Sequence, residues 1–229
     1  SYIIDNCALE SASIDFGLDA ISAVAWTGKG GILRQVTGLT ASTGGTVTLA
    51  VGLTGTAKGK VTTAPYIANK LSTMTLAGGI SGGGTSYTVA LTGGNVTVAN
   101  NLTYLTPSNL GIVNKPVTYF TGVRSVTGSI NAYLRLGATN TAGLLSDMLA
   151  SSSTDTDPEY AVTIAVGGSA NATRVELAMP ATVLQIPTIS TDQVVSTTIN
   201  FTAQGYNGSA FDITANNEIS ISYYTTNAA

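Results

Sequence analysis

Residues 125–136 alternate with a period of two. Val126, Gly128, Ile130, Ala132, Leu134 and Leu136 occupy the even positions, and Ser125, Thr127, Ser129, Asn131, Tyr133 and Arg135 the odd ones. Successive side chains of a strand point to opposite faces, so this is a long strand with one apolar and one wet side. Residues 193–203 repeat the pattern, with Val195, Ile199 and Phe201 facing in and Ser196, Thr198, Asn200 and Thr202 facing out. At Gly137 the period changes. In residues 139–152 Leu144, Leu145, Met148 and Leu149 fall on one helical stripe, with Thr139 or Asn140 available as N-cap. The reading is a chain of strands with one short flanking helix, about 140–151.

Its 229 residues are enough for one large β domain with a real core. The surface constrains more. Charged residues make up 9% of the chain, against roughly 25% in ordinary soluble domains, and mean hydropathy is +0.30. Ser, Thr, Asn and Gly must supply most of the solvation, and a surface with so few charges is a poor colloid unless other copies cover part of it. The charges are also segregated. Residues 1–19 hold Asp5, Glu10, Asp15 and Asp19 and no base, whereas residues 20–146 hold eight bases and no acid. Residues 147–229 hold eight acids and only Arg174. Such bias suits complementary faces meeting between subunits rather than nucleic-acid recognition, which wants a dense basic patch.

Cys7 is the single cysteine and histidine is absent, so neither an internal disulfide nor a thiol or imidazole metal site is expected. No apolar run approaches the ~18 residues of a membrane helix. The first ten residues show no basic segment leading into an apolar one, which makes the cytoplasm the expected place of synthesis.

Along the chain, residues 1–19 read as an N-terminal arm, with short strands expected at SASIDF, at ISAVAW, which ends in Trp26, a core or interface anchor, and at ILRQV. Residues 37–64 are Thr- and Gly-rich and too poor in bulk to make a core, so a projecting loop or hairpin is expected. Strands follow from Lys70, with a hairpin expected about residues 92–94. Pro180 separates two strands, and Asn207 with Gly208 signals a tight turn. Ile219 opens the closing strand, and 225–229 is a tail.

Several chemistries fail on spacing. Asp155, Asp157 and Glu159 could offer oxygen ligands to calcium, but the turn Gly and distal Glu of a calcium loop are missing. The Gly-rich pieces lack the Lys and helix start of a phosphate loop. Several Asn-x-Thr triplets, such as that at Asn101, are what a Thr-rich chain produces. No carboxylate pair sits where strand ends converge for glycosidase work. No catalytic residue, cofactor site or metal site emerges, and an enzyme is not expected.

From about Lys70 to Gly205 the chain resembles the major tail tube proteins of long-tailed bacteriophages. The resemblance is carried by NVTVANNLTYLTPSNLGIVNKPVTYFTGVRSVTGSINAYLR, by TAGLLSDMLA and by ATVLQIPTISTDQVVSTTINFTAQG. It implies a mainly β fold, an antiparallel β-sandwich or barrel with the flanking helix and a long projecting hairpin or loop, in a single domain over 1–229. It also implies hexameric rings stacked into a hollow tube in the virion, assembled in the host bacterial cytoplasm, with tape measure and tail terminator proteins as partners. Double-stranded DNA would pass along the lumen without specific binding. If each copy gave four strands, a ring would be a sheet of roughly 24 strands, about 50 Å across, leaving a channel of order 40 Å. On this reading Ser125, Thr127, Ser129, Asn131, Ser196, Thr198, Asn200 and Thr202 face the lumen. Lys58 and Lys60 would meet Asp155, Asp157 and Glu159 between rings. Rival classes are a carbohydrate-binding or adhesive β-sandwich, which would want exposed aromatics on a platform, and an outer-membrane barrel, which would want aromatic girdles.

Overall fold

The computed structural model describes residues 2–18, 22–35, 72–105, 118–151, 159–167, 174–191, 195–208, 210–212 and 214–224. Lys58, Lys60, Asp155 and Asp157, the expected projecting loop 37–64 and the tail 225–229 lie outside them. The chain opens with β1 (Tyr2–Asp5), β2 (Ala8–Gly17), β3 (Ala23–Lys29) and β4 (Ile32–Gln35). It continues with β5 (Thr73–Gly78), β6 (Ser86–Thr88), β7 (Ala90–Ala99), β8 (Leu102–Leu105), β9 (Thr118–Thr121) and β10 (Ser125–Tyr133). After α1 (Thr141–Ser151) come β11 (Glu159–Gly167), β12 (Arg174–Leu184), β13 (Thr188–Thr191), β14 (Val195–Ala203) and β15 (Ser220–Tyr224).

All the strand ladders are antiparallel. One path carries the main sheet, in the order β3-β2-β7-β10-β14-β12-β11-β5-β6, with β13 beside β14 and β15 beside β12. Residues from distant parts of that path share one core. Ile14, Val96, Ile130 and Ile199 pack in the same cluster as Met74, Leu76, Ile164 and Leu177. The sheet therefore folds back over itself, sandwich-like, and buries apolar side chains that alternate along each strand. The fold is mainly antiparallel β with one helix. β12 makes the corner: residues 174–178 pair with β15 and residues 182–184 with β14. Pro180 lies between, in the irregularity where β12 slips against β11. A residue without an N–H suits a bulge, so Pro180 bends one continuous strand where the sequence suggested two.

Two ribbons lie apart from the main sheet, β1–β4 and β8–β9. Asn101, at φ 49, turns β7 into β8 in the left-handed region that Asn tolerates. The Tyr104 hydroxyl links the ribbons to the main sheet, lying 2.6 Å from the Lys29 carbonyl and 3.2 Å from that of Asn6.

The helix spans Thr141–Ser151 and buries Leu144, Leu145 and Met148. Leu149, expected on the same stripe, is 58% exposed, because the buried arc is narrower than the apolar one. Asn140 precedes the helix and accepts from Leu144 N at 3.0 Å through its carbonyl. Its side chain does not cap an amide; it donates to the Leu136 carbonyl at 2.8 Å.

Two sequence expectations change. Residues 92–94 are no hairpin turn, since Gly93 and Gly94 lie inside the ten-residue β7. A Cβ at Gly94 would collide with the Ser129 carbonyl and crowd the Phe16 ring. The glycines admit a neighbour, beside the register shift at Asn131 and Ala132. SASIDF, expected as a short strand within the arm 1–19, is part of the ten-residue β2, which belongs to the main sheet and pairs with both β3 and β7.

Candidate functional site

The alternation in β10 puts its odd residues on the face opposite Val126, Ile130 and Ala132, all fully buried. Register then determines what joins them. Across to β14, Thr127 stands opposite Thr202, Ser129 opposite Asn200, Asn131 opposite Thr198 and Tyr133 opposite Ser196. On the other side Thr127 faces Thr97 and Ser129 faces Asn95 of β7, and those residues face Ser13 and Asp15 of β2. Directly opposed residues in an antiparallel pair share a face. Ser125, Thr127, Ser129, Asn131, Ser196, Thr198, Asn200 and Thr202 therefore lie on one continuous polar surface, and none of the eight is buried.

The face is stitched together by its own side chains. Thr198 donates its hydroxyl hydrogen to Asn131 Oδ1 at 2.9 Å. Asn95 Oδ1 accepts from the Ser129 amide at 3.1 Å and from its hydroxyl at 3.4 Å. Thr97 reaches Ser13 Oγ at 3.4 Å, and Thr92 donates to the Asn131 carbonyl at 3.0 Å. Such bonds hold short side chains flat, so the surface stays smooth and presents hydroxyls and amides. Asp15 is the one charged residue on this face from Ser11 to Gly17 of β2 and along β7, β10 and β14; beyond the β2 bulge, Lys29 of β3 lies on the same face and is paired with Glu10. β2 and β7 add Ser11, Ser13, Asp15, Asn95 and Thr97, which the sequence reading left out. Their signal was the same alternation, in SASIDF and NVTVAN.

The charges meet partly within the subunit. Arg124, at the start of β10, donates from Nη2 to Glu218 Oε2 at 2.6 Å and from Nε at 3.2 Å. Lys29 pairs with Glu10. Arg174 pairs with Glu176 at 3.3 Å and lies over the Tyr224 ring at 4.0 Å from its centre. Glu159 opens β11 beside residues 152–158, and its carbonyl accepts from Gly79 N at 2.8 Å.

A second polar feature lies at the far end of the strand path. Tyr87, Asp147, Glu159, Tyr160, Thr85 and Ser151 line a hollow of about 360 Å³. Tyr87 donates its phenol hydrogen to Asp147 Oδ2. Burial first, and the Asp147 bond second, push the Tyr87 phenol up to about 12. Tyr160 is raised as well, chiefly by burial and then by the Asp147 charge. Nothing in this arrangement supplies a nucleophile with a base to activate it. Among the described residues no group of three or more Cys, Asp or Glu side chains could hold a metal ion.

Residues 12–203 match the sequence profile of the phage tail tube protein family. The chain belongs to that family. It is also similar to the tail tube protein pb6 of Escherichia phage T5, at 28% identity over 216 residues. The match covers 87% of this chain and 41% of that protein, so the chain spans about two-fifths of the relative's length. Family membership makes it a structural protein rather than a catalyst, and the polar face becomes the feature whose role needs explaining.

Proposed function

We propose that copies of this chain form hexameric rings that stack into the hollow tube of a phage tail, and that the polar face of β2, β7, β10 and β14 is its lumen wall. The observation that carries the reading is the alignment of the eight Ser, Thr and Asn residues of β10 and β14 with Ser11, Ser13, Asn95 and Thr97 of β2 and β7 in one polar face across four adjacent strands, with Asp15 as its one unpaired charge among the described residues. DNA moving through such a channel must not stick. Each phosphate held by a base would add a salt-dependent retention term, whereas small neutral side chains and a sparse acid leave the duplex free to slide. The tube would be assembled in the host cytoplasm and carried in the virion with tape measure and terminator proteins. Rings would meet through Lys58 and Lys60 of one copy and Asp155, Asp157 and Glu159 of the next, which fixes polarity by pairing unlike charges.

The test is Ser129→Lys combined with Thr198→Lys in tail-bearing particles. Tubes of ordinary length with DNA ejection slowed several-fold, most at low salt, are expected. Unchanged ejection with both lysines present would remove this face from the lumen. Featureless monomers by negative-stain electron microscopy of concentrated wild-type protein would remove the tube.

A further inference from the structure

β1 and β4 continue β2 and β3 past a break. The β2–β3 ladder ends with Ala8 opposite Lys29, and the β1–β4 ladder resumes with Asp5 opposite Ile32. Between them lie Asn6 and Cys7 on one strand and Gly30 and Gly31 on the other. Both strands are interrupted at the same level. The four residue pairs of β1–β4 therefore form an arm, joined to the main sheet by two short junctions.

The junctions are bent by their own backbone. Asn6 sits at φ 54, in the left-handed region that few side chains tolerate. The Cys7 thiol donates back to the Ile4 carbonyl at 3.2 Å, and Gly31 N donates across to the Asp5 carbonyl at 3.1 Å. Gly30 has no room for a side chain, since a Cβ there would collide with Ile4 Cγ2 and crowd Cys7 Sγ.

One side chain from elsewhere meets both junctions. The Tyr104 hydroxyl lies 2.6 Å from the Lys29 carbonyl, at the end of β3, and 3.2 Å from the Asn6 carbonyl. A phenol has a single proton to donate, and Lys29 is the nearer acceptor. Tyr104 itself stands on a fixed post. Its ring packs against Tyr119, directly opposite on β9, with centres 5.8 Å apart. At the root of that ribbon Leu102 is buried, and Asn101 donates from Nδ2 to the Val123 carbonyl at 2.7 Å. On the arm, by contrast, the opposed pair Ile4 and Leu33 is 56% and 66% exposed, so burial of this pair does little to hold it.

We propose that β1–β4 is a hinged arm, bending at residues 6–7 and 30–31, and that Tyr104 is the latch that fixes its angle. β4 ends at Gln35, and the Thr- and Gly-rich stretch 37–64 follows it in sequence. The latch therefore sets the point from which that stretch leaves the subunit. Tyr104 acts as a positioning residue: its hydroxyl meets main-chain oxygens, and a fixed arm removes ordering that assembly would otherwise require. The assembly role rests on the tube reading, whereas the latch does not.

Tyr104→Phe keeps the ring on Tyr119 and removes the hydroxyl. Hydrogen exchange of the dilute subunit, followed residue by residue, reads the arm against the main sheet. In the variant, the amides that pair across β1 and β4 should exchange about three- to tenfold faster, the scale of one hydrogen bond. Those of β7, β10 and β14 should keep their wild-type rates. Gly30→Ala, which displaces Ile4 and leaves Tyr104 in place, should loosen the same arm amides. Tube growth by light scattering at equal concentration should slow in both variants. Unchanged arm exchange in Tyr104→Phe would overturn the latch. An equal rise through the strands of the main sheet would overturn it too, since Tyr104 would then be ordinary packing. Faster arm exchange with wild-type tube growth would overturn the arm's part in assembly and keep the latch. Wild type that stays monomeric at every concentration would overturn the tube reading, and the exchange rates would still decide the latch.

Discussion

β6 and β3 end the same strand path, and the chain treats them differently. β6 pairs with β5 on one side. On the other, Thr88 N donates to the Thr139 carbonyl at 2.8 Å, and Tyr87 is buried with its hydroxyl on Asp147 of α1. Every residue of β3 is exposed. Exposed edges template unwanted pairing, and folds usually blunt them with charge, proline or a covering element. The single helix serves that purpose at one end only. The contrast is between an edge closed within the subunit and one that, among the described residues, no strand covers.

The largest effect should come from uncovering β6. Leu144 and Met148 are essentially inaccessible and carry the helix onto the core. Met148→Ala or Leu144→Ala should cost about 2–5 kcal/mol in dilute protein, because the space left behind relaxes only in part. Urea unfolding would measure it through a lower midpoint at constant slope. A loss under about 1 kcal/mol would mean that the helix is peripheral, and the two edges would then be alike.

The lateral order of the strands hides in the sequence, whereas the local patterns do not. The wet faces of β10 and β14 were legible because their period of two is unbroken and needs only local geometry. The helix was legible for the same reason, at its own period. What failed needed a distant partner. Gly93 and Gly94 look like a turn until Phe16 and Ser129 arrive beside them. Pro180 looks like a break until β12 is seen changing neighbours around it. Residues 11–16 read only as a short strand in an arm because their alternation is short, and pairing with β3 and β7 on either side is what places β2 inside the main sheet. Trp26 was read as a core or interface anchor, two roles the sequence could not separate. Its exposure on a core-directed face speaks against the core role within the subunit. Of the candidate surface, the lateral order of the strands was the illegible part, since nothing local says that β7 lies beside β10.

A smaller effect tests the closed edge through pH. The unfolded phenol titrates near 10, and in the folded protein Tyr87 is held up to about 12, by burial first and by its bond to Asp147 second. The folded state holds this proton more tightly. Its contribution is complete below about pH 10 and is lost as pH rises through 12. It amounts to about 1–2 kcal/mol once the water in the adjoining hollow is allowed for. Tyr160 adds a loss of the same sign, so the comparison must be with Tyr87→Phe, which leaves Tyr160 in place. The variant should lose less stability between pH 10 and 12 than wild type, by that amount. Parallel curves would show that the hydroxyl is not sheltered by α1.

The smallest expected change, at the open edge, is the most discriminating. Trp26 touches too little of its own subunit to matter to it, so Trp26→Ala should shift dilute-monomer stability by no more than about 0.5 kcal/mol. Concentration then separates folding from assembly. Binding to a native copy stabilises the folded state by mass action, so the apparent Tm of wild type should climb as protein concentration rises. Trp26→Ala should start from the same dilute value and climb less. A dilute value lowered by more than about 1 kcal/mol would mean that Trp26 packs within its own subunit, and β3 would then be a covered edge like β6. An equal dilute value with an equal climb would mean that assembly proceeds without this strand, and the asymmetry between the two ends of the sheet would need another cause.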